Sequence, residues 1–316
     1  MWDIHAHVLP PEILHAASHG RYNLALDGDY LVAGNARLLY RPLADVDGLT
    51  RYAAQHHLGV VLSLPPALVQ GVMGTMPEWA SFANDAMARL TQQLPVPSAA
   101  LAQLTLMAPN EAMAEWTRVE AEFIGVTLGA SAQGLSLDDD YLAPLWEGLS
   151  TSGDLLMLVH GGHRADERLS RYYLDNLVGY PTEDILAAAT LTLAAMPIKY
   201  PGLHWCISHG GGGAAFLLGR WQHGYENRRP GMVRSHPAPR EVFPQLWFDS
   251  VVHDRRALEF LSQVAPGQVV LGTDWPFPMG THRYLQDGGW DDALVSNLAA
   301  NGDRLISRVM KGRTIP

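Results

Sequence analysis

The chain opens Met1-Trp2-Asp3-Ile4-His5-Ala6-His7. Trp2–His5 is a short apolar run that ends in an HxH pair. Side chains two apart on a strand point the same way, so the two imidazoles can face one point. Seven further apolar runs follow: Gly59–Leu64, Ala99–Leu104, Ile124–Gly129, Leu155–His160, Leu203–Ser208, Leu246–Asp249 and Val269–Asp274. Between them lie helical patterns over Pro77–Gln93, Asn110–Ala121, Leu142–Ser150, Thr182–Lys199, Ala214–Asn227 and Arg255–Val264. Eight strands alternating with helices predict an α/β fold, a (β/α)8 TIM barrel forming one domain over residues 1–316. An open doubly wound sheet would need a Gly-rich phosphate turn after the first strand, and that stretch has none.

Two stretches exceed a minimal barrel. Residues 17–42 form a polar insertion after the first strand, read as a small hairpin over the barrel mouth. Residues 228–245 carry four prolines and several arginines and read as a long surface loop or an interface arm.

The bulk numbers agree with a large buried core. Of the 316 residues, 47% are hydrophobic and 17% charged, and the net charge of -10 argues against nucleic acid as a partner. Cys206 is the only cysteine, so an intrachain disulfide and a cysteine metal cluster are excluded, which suits a reducing, cytoplasmic setting. The N-terminus lacks a basic region followed by an apolar run, and no stretch approaches 18 uninterrupted apolar residues. Neither a signal peptide nor a membrane span is expected.

The histidines carry the chemistry. His5 and His7 end the first candidate strand, His160 ends the fifth, His209 follows the sixth and Asp274 ends the eighth. In a barrel the C-terminal strand ends meet at one mouth, where active sites are built. Any one of these groups alone has a bland reading, as a structural histidine or a helix cap. Their shared polarity makes the joint pattern stronger. Imidazoles and a carboxylate suit one divalent ion, Zn²⁺ first and Mn²⁺ as an alternative. The fourth candidate strand contains no lysine that could be carboxylated to bridge two metals, so one ion is expected. His163, just past His160, and Trp275 and Phe277, after the last strand, are candidates for substrate contact.

The chain resembles the amidohydrolase superfamily, in the branch containing aminocarboxymuconate semialdehyde decarboxylase. The motifs are Asp3-Ile4-His5-Ala6-His7, Val159-His160, Ser208-His209-Gly210-Gly211-Gly212 with Phe216-Leu217-Leu218-Gly219-Arg220, and Leu271-Gly272-Thr273-Asp274-Trp275-Pro276-Phe277-Pro278. The resemblance implies that His5, His7, His160 and Asp274 hold the metal and that His209, with Asp274, serves catalysis. It implies that Arg37 binds a substrate carboxylate, and that Arg220 reaches the active site of a neighbouring subunit in a homodimer. The activity implied is non-oxidative decarboxylation of an unsaturated or aromatic carboxylic acid. Hydrolysis or hydration of a lactone or oxo-dienoic acid at the same centre is the alternative. One departure stands out: His160 is followed by Gly161-Gly162-His163, where established decarboxylases commonly carry proline and then an aromatic or small residue.

Overall fold

The computed structural model describes all residues except 71–72, 164–165, 234, 283–289, 312 and 314–316. Among the described residues, ten strands form two sheets. The antiparallel one, β2 (Leu24–Asp27), β3 (Tyr30–Ala33) and β4 (Ala36–Leu39), lies in the 17–42 stretch. It is a three-stranded meander, not a two-stranded hairpin. Gly28 and Gly34 in the turns adopt φ of 59° and 57°, which glycine tolerates without a Cβ clash. Leu24, Leu31 and Ala33 are its buried side.

The main sheet is parallel, with the order β1 (Trp2–His7), β5 (Gly59–Ser63), β6 (Ser98–Gln103), β7 (Gly125–Gly129), β8 (Leu155–His160), β9 (Leu203–Ile207) and β10 (Trp247–Phe248). The expected eighth strand is present as an irregular staple. Phe248 N donates to Gln268 O and Val270 N to Phe248 O on one side; Ile4 N donates to Leu271 O and Asp274 N to His5 O on the other. Residues 268–275 thus return the sheet onto its first strand. They lack full strand geometry because Asp274 sits at φ 57° and because Thr273 is turned to Asp3, donating its N–H to Oδ1 (3.1 Å) and its hydroxyl to Oδ2 (2.5 Å).

The longer helices are α1 (Pro11–Ser18), α2 (Val46–Gln55), α3 (Pro77–Gln93), α4 (Pro109–Val119), α5 (Ala143–Thr151), α6 (Tyr180–Leu193), α7 (Ala214–Glu226), α8 (Arg255–Val264) and α9 (Asp292–Val309). The predicted 182–199 helix is split. Ala195 adopts φ 54°, and a separate turn starts at Met196. Within the 228–245 stretch, Pro239–Val242 form one helical turn. Arg234 lies outside the described residues. Among the described residues no helix is long and apolar enough to cross a membrane.

Side-chain alternation sets the barrel's interior. One buried cluster takes Ile4, Val61, Leu101, Leu158, Cys206, Trp247 and Val270 from the strands, closed by Leu305, Ile306 and Val309 of α9. The other takes alternate strand residues such as Val60, Leu62, Met157 and Val159 and packs them under the helices. Two residues further along the same inward rows stand Ser63, Gln103, His160, Ser208 and Asp249, all buried. A polar layer therefore caps an apolar one at the C-terminal strand ends. On β1 the pairing to β5 shifts register between Asp3 and Ala6. Ile4 belongs to the interior cluster and Ala6 to the outer one, though regular alternation would put them on the same face. The bulge switches the face, so His5 and His7 join the inward layer.

Candidate metal and acid–base centre

The polar layer brings His5, His7, His160 and Asp274 together. One ligand atom from each lies within 4.8 Å of all the others, and all four residues are buried. Each imidazole is fixed by the acceptor at its other nitrogen. His5 Nδ1 lies 2.6 Å from Asp249 Oδ2, His7 Nδ1 3.2 Å from Leu64 O, and His160 Nδ1 2.5 Å from Gly161 O. Carbonyls and carboxylates accept only, so Nδ1 carries the proton, and in the neutral ring Nε2 presents a lone pair. The Nε2 atoms of His5 and His7 face each other at 3.0 Å. Asp274 Oδ1 is 3.2 Å from His7 Nε2 and 3.6 Å from His5 Nε2. His160 Nε2 and Asp274 Oδ1 are buried without a hydrogen-bond partner.

Buried polar atoms without partners are rare because desolvation is costly. Convergent lone pairs beside a carboxylate are the environment of a cation, and this donor set fits one divalent ion. Burial, followed by the neighbouring His209, His5 and His7, pushes the His160 imidazole well below its ordinary range. Burial also lowers His7. Both are thereby favoured in the neutral form that a metal ligand requires. For Asp274, burial acts upward but is outweighed by His7, His5 and His209, which hold it ionised.

His209 stands beside this cluster, its ring centroid 4.7 Å from that of His160. Its Nδ1 is 2.7 Å from Asp184 Oδ2; Asp184 also accepts from Ser208 Oγ (3.0 Å) and Gly161 N (2.7 Å). Burial disfavours the imidazolium, but Asp184's charge and hydrogen bond, with Asp274 and Asp249, raise the His209 pKa from 6.5 to about 9. In the metal-free chain it is a cationic acid. A dication nearby pulls that value down by like-charge repulsion.

The glycines after His209 explain how it is presented. His209 to Gly213 all have positive φ, from 51° to 102°. A Cβ on Gly212 would lie 2.0 Å from Pro181 O, and one on Gly210 would lie 2.2 Å from Val252 Cγ1. This left-handed turn needs glycine for conformation and for space. The Gly161-Gly162 departure has a similar cause. A Cβ on Gly161 would be 2.3 Å from Tyr180 O, and one on Gly162 would be 1.8 Å from Gln70 Oε1, whose amide donates to His160 O (3.0 Å).

A cavity of about 380 Å³ adjoins the cluster, with His209 and Asp274 on its wall. That size suits a small organic ligand. A π-helical turn, Asp175–Gly179, supplies Asn176 and Leu177 to it. Widened turns of this kind recur at functional sites.

None of the five residues expected to contact substrate lines this cavity. Arg37 is half exposed and paired to Asp27 Oδ2 at 2.7 Å on the antiparallel sheet. His163 is 70% exposed and paired to Asp175 at 2.9 Å. Trp275 stacks on Tyr52 with centroids 4.6 Å apart, and Phe277 lies edge-on to His7 at 5.3 Å. Arg220 is exposed on α7. Sequence reasoning missed Asp184, Asp249 and the cavity wall. Asp249 could have been found, because it ends a candidate strand like the other inward groups. Asp184 could not, because it lies on a helix with no strand-end signal.

The family model described as Amidohydrolase matches residues 2–304. Over 206 residues the chain is 33% identical to 2-amino-3-carboxymuconate-6-semialdehyde decarboxylase of Dictyostelium discoideum, covering 64% of this chain and 57% of that protein. The alignment thus spans just over half of that relative. The fold is similar to 5-carboxyvanillate decarboxylase from Sphingomonas paucimobilis, with a TM-score of 0.79 at 22% identity over 98% of this chain and 99% of that one. It is also similar to the 5-carboxyvanillate decarboxylase of Novosphingobium aromaticivorans, complexed with manganese and 4-hydroxy-3-methoxy-5-nitrobenzoic acid (TM-score 0.78, 18% identity, 97% and 96% covered). A match over nearly all its length, on a parallel barrel with this cluster at its C-terminal mouth, makes the chain a member of the amidohydrolase family.

Proposed function

We propose that the chain is a metal-dependent non-oxidative decarboxylase of an unsaturated or aromatic carboxylic acid. The observation that carries this reading is the pairing of two devices beside one cavity: three imidazoles converging with Asp274, which reaches the cavity wall, and the Asp184-backed acid His209 on the same wall. The names of the relatives point the same way. His5, His7, His160 and Asp274 are the ligands in this reading. The bound ion supplies positive charge that holds and polarises substrate oxygens.

The chain's own groups supply the proton. His209, held by Asp184, donates from Nε2 to the ring or chain carbon that bears the carboxylate. The C–C bond then breaks, CO₂ leaves, and the bonding electrons restore conjugation. General acid help of this kind contributes roughly 10²–10⁴-fold. Zn²⁺ and Mn²⁺ both suit the donor set, and the manganese in the Novosphingobium structure favours testing Mn²⁺ first. Arg220, exposed on α7, remains our candidate for a residue offered to a neighbouring subunit in a homodimer.

The test is metal content and gas release together. Wild type should bind about one divalent ion per chain and release CO₂ from hydroxybenzoates or unsaturated acids. The His5→Ala/His7→Ala variant should lose both. Turnover of lactones or oxo-dienoic acids without CO₂ would replace this reading with hydrolysis or hydration.

A further inference from the structure

Much of the described cavity lining is apolar, over Leu177, Phe216, Val252, Phe260, Leu261 and Met279. Its polar side chains are Asn176, Tyr180, His209, His253 and Asp274. Tyr180, the first residue of α6, brings a phenol to this wall. Its hydroxyl makes no hydrogen bond among the described residues. Burial, followed by Asp175, Tyr173 and Asp274, pushes the phenol up to about 12, so it remains a neutral O–H donor.

Tyr180 is closely seated. A Cβ on Gly161 would lie 2.3 Å from the Tyr180 carbonyl, so only a glycine after His160 admits α6 this near. The Tyr180 ring stands edge-on to that of His160, with centroids 6.2 Å apart and planes 85° apart. Asp184, which holds His209, is four residues further along the same helix, and residues so spaced share a face. One face of α6 thus backs the acid His209 and turns a hydroxyl to the cavity that His209 lines. The leaving carboxylate is bonded to the carbon that His209 protonates, so it must rest close to both. As the C–C bond breaks, negative charge leaves that carboxylate. A neutral hydroxyl can orient the group without adding charge that binds the ground state more tightly than the transition state.

We propose that Tyr180 is a substrate-positioning residue whose hydroxyl donates to the carboxylate that leaves as CO₂ and holds it beside His209. The proposal rests on the decarboxylase reading and adds a residue to it. It also gives the Gly161 departure a purpose, since a side chain there would push Tyr180 aside.

The experiment compares wild type with Tyr180→Phe, which keeps the ring and removes the hydroxyl. Calorimetry on Mn²⁺-loaded protein gives the affinities of 2-hydroxybenzoate and of catechol, which offers the metal two oxygens and no carboxylate. CO₂ release from 2-hydroxybenzoate gives kcat and KM. Loss of a hydrogen bond to a charged group should weaken 2-hydroxybenzoate about 10–100-fold and leave catechol within about twofold. KM should rise by a similar factor, with kcat much less affected and the alkaline limb set by His209 in place. Equal weakening of the two ligands would make Tyr180 a packing residue and overturn the proposal, as would an unchanged affinity for the acid. If neither 2-hydroxybenzoate nor any other acid of the CO₂ screen releases gas, the decarboxylase reading fails, and the ratio of the two affinities still decides whether Tyr180 holds a carboxylate. Failure of 2-hydroxybenzoate to bind wild type overturns the proposal and leaves decarboxylation to the other acids.

Discussion

On one side of the cavity each imidazole has its proton placed by an acceptor, and the acceptors are themselves held: Asp249 Oδ1 accepts from Gly210 N at 2.8 Å and from Val251 N at 3.1 Å. On the other side stands an apolar wall with Phe216 largely exposed. The first side is over-determined, as a site must be when it holds charge in a buried layer. The second makes no directional bonds and can change with little loss to the fold. Chemistry is thus assigned to strand ends in the barrel's inward rows, and selectivity to the loops and helix starts beyond them. Substitutions on the first side should act on kcat or metal affinity. Those on the second should act on discrimination between substrates.

His209→Ala probes the rigid side hardest. It removes the proposed proton donor and none of the four proposed ligands, so the metal content should stay near that of wild type while kcat falls roughly 10²–10⁴-fold. Near-normal kcat in a metal-loaded variant would break the division, because the acid would then have to come from elsewhere in the cavity.

Asp184→Asn should have a smaller effect, since it leaves His209 in place and removes its counter-charge. A loss of roughly 10–100-fold is expected for a partner of this kind. The pH profile separates this from mere loosening. The proton donor must be protonated, so activity falls as pH rises through the His209 pKa. That pKa is raised chiefly by Asp184, against the opposing effect of burial. The alkaline limb should therefore move to lower pH in the variant. Stability has the same sign in metal-free protein. The folded-state pKa of about 9 exceeds the ordinary 6.5, so the contribution is complete below pH 6.5 and is lost as pH rises through 9. The melting temperature of metal-free wild type should fall over that window, and the fall should be shallower in Asp184→Asn. An unmoved limb and an unchanged slope would show that His209 does not owe its charge to Asp184.

Much of the rigid side was legible because its residues end candidate strands. His5, His7, His160 and Asp274 stand at the C-terminal ends of a parallel sheet, which follows from apolar runs and spacing, whereas the bulge that turns His5 and His7 inward does not. The barrel was legible for the same reason, down to the irregular closing segment, although the bonds from Asp3 that distort it were not. The loops were not legible. Arg37 and His163 are local ion-pair partners of Asp27 and Asp175, a choice settled by the meander's register and the π turn, which hydrophobic periodicity does not encode. Phe216 reads in sequence as one more apolar residue of a helix stripe. Its exposure follows from the left-handed turn that aims the start of α7.

That turn gives the mildest prediction and the finest test of how the rigid side is held. Gly212 and Gly213 are adjacent, with φ of 62° and 102°, and differ in space. A Cβ at Gly212 meets Pro181 O at 2.0 Å, whereas one at Gly213 has nothing within 4 Å. Both alanine variants carry the strain of positive φ, of order 1–3 kcal/mol. Only Gly212→Ala must also push away α6, the helix that carries Asp184. In urea melts Gly213→Ala should lose about 1 kcal/mol with the alkaline limb in place. Gly212→Ala should lose about 2–3 kcal/mol more and shift the limb toward that of Asp184→Asn. Equal losses in the two variants would mean that the Gly-rich turn is kept for backbone conformation alone, and that the close approach of Pro181 does not help set the His209–Asp184 pair.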